Sequence, residues 1–313
     1  MLRRLIPILF AITVLAWTLP GLAQSSPKPA VSSAPRDEPS PPLSPQEIRA
    51  LASRVISNQH RDDEASDAFE HIDLLFDRLG DAASAATETK MFRVVPTGTG
   101  TLKLLLKENG KPVQPQEYQR QLKIWAQILE VAVRPDDPRQ KASLEKWRKK
   151  RKERADLVDS ALDAFHFGWL GRETRNGRPV TKLSLEPNPQ FQPRTRAADI
   201  LTHARAVIWI DDETGQMMHA EADIIRDISF GGGILGKVYH GGHFEMDQAE
   251  AAPGVWLPTR YKYDFSGRKF LFGFELHELS QISRYRRLGT PSDALAAARR
   301  ELQTNPSNAA GDP

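Results

Sequence analysis

Apolar and polar residues alternate along several stretches between residues 165 and 279, as expected for β-strands that bury only one face. Phe244 and Met246, for example, alternate with His243, Glu245 and Asp247. One face of the predicted sheet is therefore apolar and aromatic across at least five strands, while the other is largely charged. The residues predicted to form the apolar face are Ile208, Ile210, Ala222, Ile224, Phe244, Met246, Leu257, Tyr261, Tyr263, Phe265, Phe270, Phe272 and Phe274.

Short turn signals separate these strands and favour an antiparallel sheet. Asn-Gly occurs at residues 109–110 and 176–177, and this dipeptide is a strong hairpin signal. The glycine-rich segment 97–101 lacks the lysine of a phosphate-binding loop and is also predicted to be a hairpin turn. Because such connections are too short for crossover helices, a βαβ arrangement is disfavoured.

Helices are predicted at the start of the folded region, in its middle and in the tail that follows it. Ser44 and Glu47 form a capping box, which marks a helix start. Apolar residues then recur at helical spacing on one face, at Ile48, Leu51, Ala52, Val55 and Ile56. A second helical zone covers residues 116–165 with a break near 134–138, and a short helix is predicted over 292–302. The expected fold class is mainly β with helices (α+β).

The N-terminus resembles a cleavable signal peptide. Arg3 and Arg4 precede an apolar run over residues 5–19, and small residues follow up to Ala23. The run is shorter than the roughly 20 apolar residues that span a bilayer. We therefore expect cleavage after Ala23, with residues 1–23 removed, and a periplasmic location for the exported chain.

Composition divides the remainder into three parts. Residues 24–43 are rich in proline and serine and are predicted to form a flexible linker. Residues 44–288 are expected to form one domain that contains the helical insert 116–165. Residues 289–313 are predicted to be a flexible tail.

Charge and residue usage exclude several classes of function. The net charge is +3, and it becomes +1 without Arg3 and Arg4, so the chain as a whole has no attraction for nucleic acid. The chain has no cysteine, which excludes disulfides, thiolate metal sites and an acylated N-terminal cysteine. His240 and His243 are close in sequence, but no third ligand lies nearby. We expect no catalytic residues, metal or cofactor, and a monomer.

A basic run within the second helical zone is the strongest charged feature. It predicts either a solvated helix face or a surface that contacts anionic headgroups or an envelope protein, because clustered cations are attracted to anionic lipid. Trp147 fits an anchor at a membrane interface. The predicted patch consists of Trp147, Lys149, Lys150, Arg151 and Lys152.

Two segments resemble motifs of the outer-membrane lipoprotein carrier and sorting proteins of the LolA, LolB and LppX type. The first is AVIWIDDETG at residues 206–215 with the strand that follows it, and the second is VWLPTRY at residues 255–261. The resemblance covers roughly residues 44–287 and is closest to uncharacterised exported relatives. It implies a curved antiparallel half-barrel with helices on its concave face and an apolar cavity between them.

This resemblance implies a non-enzymatic periplasmic carrier or sensor for a lipid, a lipoprotein acyl chain or another amphiphile. Alternation alone does not separate an open cavity from a filled core, because both are lined by the same residue types. The alternative is therefore an interaction module of the cell envelope with a filled core, which binds a partner through the basic helix or the charged sheet face.

Overall fold

A computed structural model describes residues 41–78, 87–231 and 233–304. The predicted signal peptide, residues 24–40 of the predicted linker and residues 305–313 of the predicted tail lie outside the described residues.

The helices begin where their sequence signals lie. Ser44 and Glu47 form the expected capping box, in which the Ser44 N–H donates to Glu47 Oε2 at 2.8 Å. The helical zone predicted over 116–165 is confirmed as two helices with a break between them. The helices are α1 (Pro45–Ser66), α2 (Pro115–Ala132), α3 (Pro138–Ala164), the short α4 (Arg196–Asp199), which continues into a 3₁₀ turn (Ile200–His203), and α5 (Pro291–Gln303).

The strands form one open, curved sheet in which every pairing is antiparallel. They are β1 (Phe69–Arg78), β2 (Thr87–Pro96), β3 (Thr101–Glu108), β4 (Lys111–Pro112), β5 (Phe165–Arg175), β6 (Arg178–Pro187), β7 (Ala204–Asp211), β8 (Met217–Ile224), β9 (Ile228–Phe230), β10 (Gly236–Val238), β11 (His243–Ala252), β12 (Val255–Lys269) and β13 (Phe272–Arg287). The strand order is β4-β3-β2-β1-β13-β12-β11-β8-β7-β6-β5, and the short β9–β10 ribbon pairs with the end of β12. The predicted α+β class with a curved antiparallel sheet is confirmed.

Cross-strand pairing defines one continuous concave face, because residues directly opposite each other in an antiparallel pair point to the same side. The face is apolar from β6 to β12 and becomes polar from β13 to β2. One row of pairs that crosses it consists of Leu183, Ile208, Ala220, Met246, Tyr261, Ser280, Leu75 and Lys90.

The helices pack against both faces of the sheet. Ile48 and Val55 of α1 and Leu157 of α3 join the main hydrophobic core on the concave side. In contrast, α2 and α5 pack with Leu104 and Val95, whose side chains point to the opposite face of β2 and β3. The expected helices on the concave face are α1 and α3, whereas α2 and α5 form a second layer on the opposite face.

The C-terminal helix is docked, which corrects the prediction of a flexible tail from residue 289. Ala294, Leu295 and Ala298 of α5 are buried against α2. Glu301 accepts a hydrogen bond from Tyr118 at 2.8 Å and pairs with Arg93 at 2.7 Å. Sequence composition alone did not reveal this docking because the segment is short, and its buried residues are mostly alanines.

Candidate functional site

An apolar cavity of about 220 Å³ lies between α1, α3 and strands β5 to β8 and β11. Its walls are made by apolar side chains of the two helices and by the 3₁₀ turn, which contributes Ile200 and Leu201. Its floor is the concave face of the sheet. For comparison, an apolar cavity of about 150 Å³ in another protein stays dry and binds benzene or xenon.

Alanines on the cavity floor explain why the space is open. Ala206 of β7 pairs with Ala222 of β8, and Ala220 pairs with Ile208 beside them. Ala204 also lines the cavity, so four alanines lie where larger residues would reach the helices. Since each presents only a methyl group, α1 and α3 pack against the floor without filling it.

The structure brings most of the predicted apolar residues into one cluster, but only four of them line the cavity. Ile208, Ala222, Phe244 and Met246 do so. Others are buried in the same core beside it or pack against it, and these are Ile210, Ile224, Tyr261, Tyr263, Phe265 and Phe274. Leu257 is buried outside this cluster.

Phe270 and Phe272 lie outside the cavity, which corrects their assignment to its lining. Both are exposed at the turn between β12 and β13. The alternation predicts the correct face for Phe272, but this hairpin extends beyond the neighbouring strands, where only the short β10 pairs with it. A side chain on the apolar face of the sheet is buried only where another element covers that part of the face.

The resemblance implied helices over the cavity, but the sequence analysis assigned no helical residue to its lining. Val55 and Ile56 of α1 line it, together with Leu157, Val158 and Ala161 of α3. The apolar stripe of α1 is visible in the sequence, and it is the signal that could have assigned this helix to the site. For α3 the signal is weaker, since its apolar residues follow the strongly charged segment.

Polar groups at the rim of the cavity are paired within the protein. Arg154 contacts both oxygens of Asp63, at 2.7 and 2.8 Å, and His60 contacts Asp159 at 2.7 Å. Because the Arg154–Asp63 pair has no net charge, it offers a polar boundary without a strong preference for an ion. The interior beyond it is suited to a hydrocarbon chain.

Tyr261 adds one polar atom next to this apolar region. Its side chain is buried beside Met246, and its hydroxyl has no hydrogen-bond partner in the part of the chain that the structure describes. Burial raises the pKa of Tyr261 well above its usual value, so the hydroxyl remains protonated. An unsatisfied buried hydroxyl is costly, so a polar atom of a ligand that reached it would gain a hydrogen bond.

At the other end of the concave face, buried charges are satisfied by one another. The Lys103 ammonium contacts Asp73 Oδ2 at 2.5 Å, and the Ser280 hydroxyl donates to the same carboxylate. Burial lowers the pKa of Lys103, and the Asp73 carboxylate opposes this effect. This cluster is a structural ion pair, and it ends the apolar part of the face.

The predicted basic patch is partly occupied by contacts within the chain. Arg151 pairs with Asp67 at 2.5 Å and stacks over Trp147, with 4.9 Å between the guanidinium carbon and the ring centre. Lys152 pairs with Asp156 at 2.8 Å. Lys149 and Lys150 are exposed. Of the five predicted residues, these two lysines are the best placed to meet an anionic surface.

The charged face of the sheet is cross-linked by ion pairs centred on His219. Its side chain is 3% exposed, and its two ring nitrogens contact Asp247 at 2.6 Å and Glu221 at 2.9 Å. Burial lowers the pKa of His219, but the hydrogen bonds to the two carboxylates outweigh it, so the pKa is raised above its usual value. The imidazolium therefore stabilises this face.

We expect replacement of His219 by Gln to destabilise the protein more at about pH 6 than at about pH 9. Because the folded-state pKa is raised, the stabilisation is complete below the unfolded value of about 6.5 and is lost as the pH rises through the folded value. Urea unfolding at both pH values measures the difference. His240→Gln is the matched control, since that side chain is 74% exposed and should change stability little. An equal cost of His219→Gln at both pH values would contradict the assignment.

The described residues contain no cluster of three or more side chains that could hold a metal ion. The two neighbouring histidines instead contact separate carboxylates, His240 with Asp227 and His243 with Asp223, each at 2.8 Å. Among the helices in the described ranges, none is long and apolar enough to span a bilayer.

Comparison with known proteins returned structural matches only. No protein-family model matches the chain, and no curated protein matches it either. A DUF1329 family protein from Desulfovibrio piger is 10% identical with a TM-score of 0.29, and the match covers 77% of this chain and 92% of that one.

Two further matches have names that refer to lipoprotein sorting. An outer membrane lipoprotein-sorting protein domain from Vibrio parahaemolyticus is 10% identical with a TM-score of 0.29, with 81% of this chain and 100% of that chain covered. A LolA superfamily protein from Nitrosomonas europaea is 11% identical with a TM-score of 0.29, with 79% and 96% covered.

Proposed function

We propose that the protein is a non-enzymatic carrier or sensor that holds the hydrocarbon chain of a lipid or another amphiphile in the cavity between α1, α3 and the sheet. Supporting this proposal most directly is the cavity itself, which is lined almost entirely by apolar side chains and opens over a floor of four alanines. In this mechanism the protein shields the chain from water and performs no chemistry on it.

Burial of the chain supplies the binding free energy. Each methylene removed from water contributes about 0.8 kcal/mol, so a chain of about a dozen carbons gains roughly 10 kcal/mol before ordering costs. Arg154, His60 and Gln59 at the rim would lie near the polar end of such a ligand. The paired state of Arg154 favours a headgroup that needs hydrogen bonds more than charge.

We also propose the cell envelope as the place of action. The proposal rests on the sequence of residues 1–23, which has the features of a signal peptide cleaved after Ala23. Residues 24–43 would then form the linker that precedes the folded domain. A carrier in the periplasm would meet lipids and lipoprotein acyl chains, the ligand class that fits the cavity.

Titration with a fluorescent fatty acid, dansyl-undecanoic acid, tests the proposed function. We expect a saturable rise and blue shift of dansyl emission, with displacement by dodecanoic acid. Hexanoic acid should compete at least a thousandfold more weakly, because six fewer methylenes remove about 5 kcal/mol of burial. No emission change, or equal competition by both acids, would favour a filled core and the interaction module instead.

A further inference from the structure

Two neighbouring turns expose a group of large apolar side chains. Eight such side chains are exposed in the described part of the chain, and five of them lie on these two turns. We call these five residues the apolar tip: Ile234 (76% exposed), Leu235 (50%), Phe270 (50%), Leu271 (92%) and Phe272 (78%). Scattered exposed apolar residues are normal on a soluble protein, but a contiguous group marks a contact surface.

The backbone holds the two turns side by side. Gly236 of β10 pairs with Lys269 of β12, and the Phe270 N–H donates to the Leu235 carbonyl at 3.3 Å. Phe270 has a φ of 53°, in the left-handed region that bulky residues rarely adopt. Asparagine or glycine is usual at such a turn position. A phenylalanine there is unfavourable for the fold and places a ring at the exposed apex.

Cations lie directly behind the apolar apex, and acids are missing. Residues 229–237 and 266–274 contain three basic residues and no acidic one. Lys237 pairs with Asp227 at 2.7 Å. Arg268 and Lys269 have no ion-pair partner within the described ranges. Arg268 Nη1 instead donates to the Phe270 carbonyl at 3.0 Å, which supports the turn.

From this arrangement we propose that the apolar tip docks the protein on an anionic lipid bilayer. The side chains of Phe270, Leu271 and Phe272 enter the headgroup boundary, while Arg268 and Lys269, set one or two residues back, meet lipid phosphates. Aromatic and aliphatic residues at the apex with cations behind them match the order of apolar and anionic layers in a bilayer surface. An acidic protein partner would be matched by the cations but not by five exposed apolar side chains.

The tip is separate from the cavity, so docking and chain binding are distinct properties. Tyr263, which pairs with the cavity residue Phe244, precedes Lys269 by six residues on β12. Six residues of strand span about 20 Å. Changes at the tip should therefore leave fatty-acid binding intact. Membrane docking and fatty-acid binding are measured separately, so a failure of one proposal can be distinguished from a failure of the other.

Vesicle sedimentation with the mature chain from Gln24 onward tests the docking. We expect at least tenfold stronger partitioning onto phosphatidylcholine vesicles with about 30 mol% phosphatidylglycerol than onto pure phosphatidylcholine. The double variant Leu271→Ser/Phe272→Ser should weaken partitioning at least tenfold. The double variant Arg268→Gln/Lys269→Gln should also weaken partitioning onto the anionic vesicles at least tenfold, since each cation strengthens partitioning about fivefold. The matched control is Leu170→Ser, an equally simple change at a 50% exposed leucine on the edge strand β5.

A fluorescent label at the tip reports insertion into the bilayer directly, so this measurement does not require variants with different binding to be equally well folded. The chain has no cysteine, so Leu271→Cys provides a single thiol for an environment-sensitive dye, and Leu170→Cys provides its control. We expect a blue shift with anionic vesicles from position 271 alone.

Three outcomes would overturn the proposal. The first is wild-type partitioning by the Leu271→Ser/Phe272→Ser variant. The second is loss of partitioning only in Lys149→Glu/Lys150→Glu, which would assign binding to the basic helix. The third is tip-dependent dimerisation without vesicle binding, which would identify a second copy of the chain as the occupant.

Discussion

Replacing Ala222 with tryptophan should abolish binding of dansyl-undecanoic acid, by at least about a hundredfold, while the protein remains folded. Ala222 lies on the cavity floor between Ala206 and Phe244, its direct cross-strand neighbours. The indole would occupy the space that the proposed ligand needs. The titration is read from dansyl emission, and folding from far-UV circular dichroism and thermal unfolding.

The matched control is Ala249→Trp, the same substitution at an exposed position on β11, the strand next to β8. It should bind the fatty acid like wild type. If Ala222→Trp unfolds the protein, Ala220→Leu makes a smaller intrusion on the same floor and should weaken binding at least tenfold. Wild-type affinity in folded Ala222→Trp protein would contradict the assignment of the cavity.

Truncation of Trp125 to alanine should lower the free energy of unfolding by about 3–5 kcal/mol, the range for a large buried aromatic residue. Trp125 is fully buried between α2 and the outer face of β2 and β3, and its indole N–H donates to the Pro96 carbonyl at 2.9 Å. The Arg93 guanidinium lies 5.4 Å from its ring centre. The substitution removes packing, one buried hydrogen bond and this stacking contact together.

Trp147→Ala provides the comparison, since Trp147 is a half-buried tryptophan on α3 that stacks mainly with Arg151. Its loss should cost less than about 1 kcal/mol. Denaturant unfolding of both variants measures the two costs. Similar values for the two tryptophans would contradict the second helical layer formed by α2 and α5. Fatty-acid binding should persist in both variants, because neither residue lines the cavity.

Local sequence signals predict the elements of this fold well. The hairpin turns at Asn109-Gly110 and Asn176-Gly177 are in place, with Asn109 and Asn176 at the positive φ values that such turns require. The capping box at Ser44 starts α1 as expected. These features are predicted correctly because each depends on only a few neighbouring residues. The antiparallel sheet follows from them, since short turns connect consecutive strands.

How much of each sheet face is buried is less predictable from the sequence, because burial of a residue depends on which other elements pack over it. Phe244 and Phe272 have the same parity with respect to the concave face, yet one lines the cavity and the other is 78% exposed. The difference is the length of the β12–β13 hairpin relative to its neighbours. Likewise, the docking of α5 depends on Trp125 and Leu122, which are more than 160 residues away in sequence.

The openness of the cavity also depends on distant pairing. Ala204, Ala206, Ala220 and Ala222 are unremarkable in sequence, and they form one small-residue floor only when β7 and β8 pair in the observed register. An alanine patch opposite two amphipathic helices is a signal that sequence reasoning could use once the register is known. The aromatic residues of the predicted lining mainly fill the core beside this floor.

Native mass spectrometry of the protein purified from its own host tests the central claim most directly. We predict a bound amphiphile, visible as a discrete added mass that dissociates on collisional activation. This mass should be retained in Ala249→Trp and in the tip variant Leu271→Ser/Phe272→Ser, and it should be absent from Ala222→Trp. Two results would contradict the claim that this cavity holds a lipid chain. One is wild-type protein that carries no ligand and also fails to take up added dodecanoic acid. The other is an added mass that persists in folded Ala222→Trp.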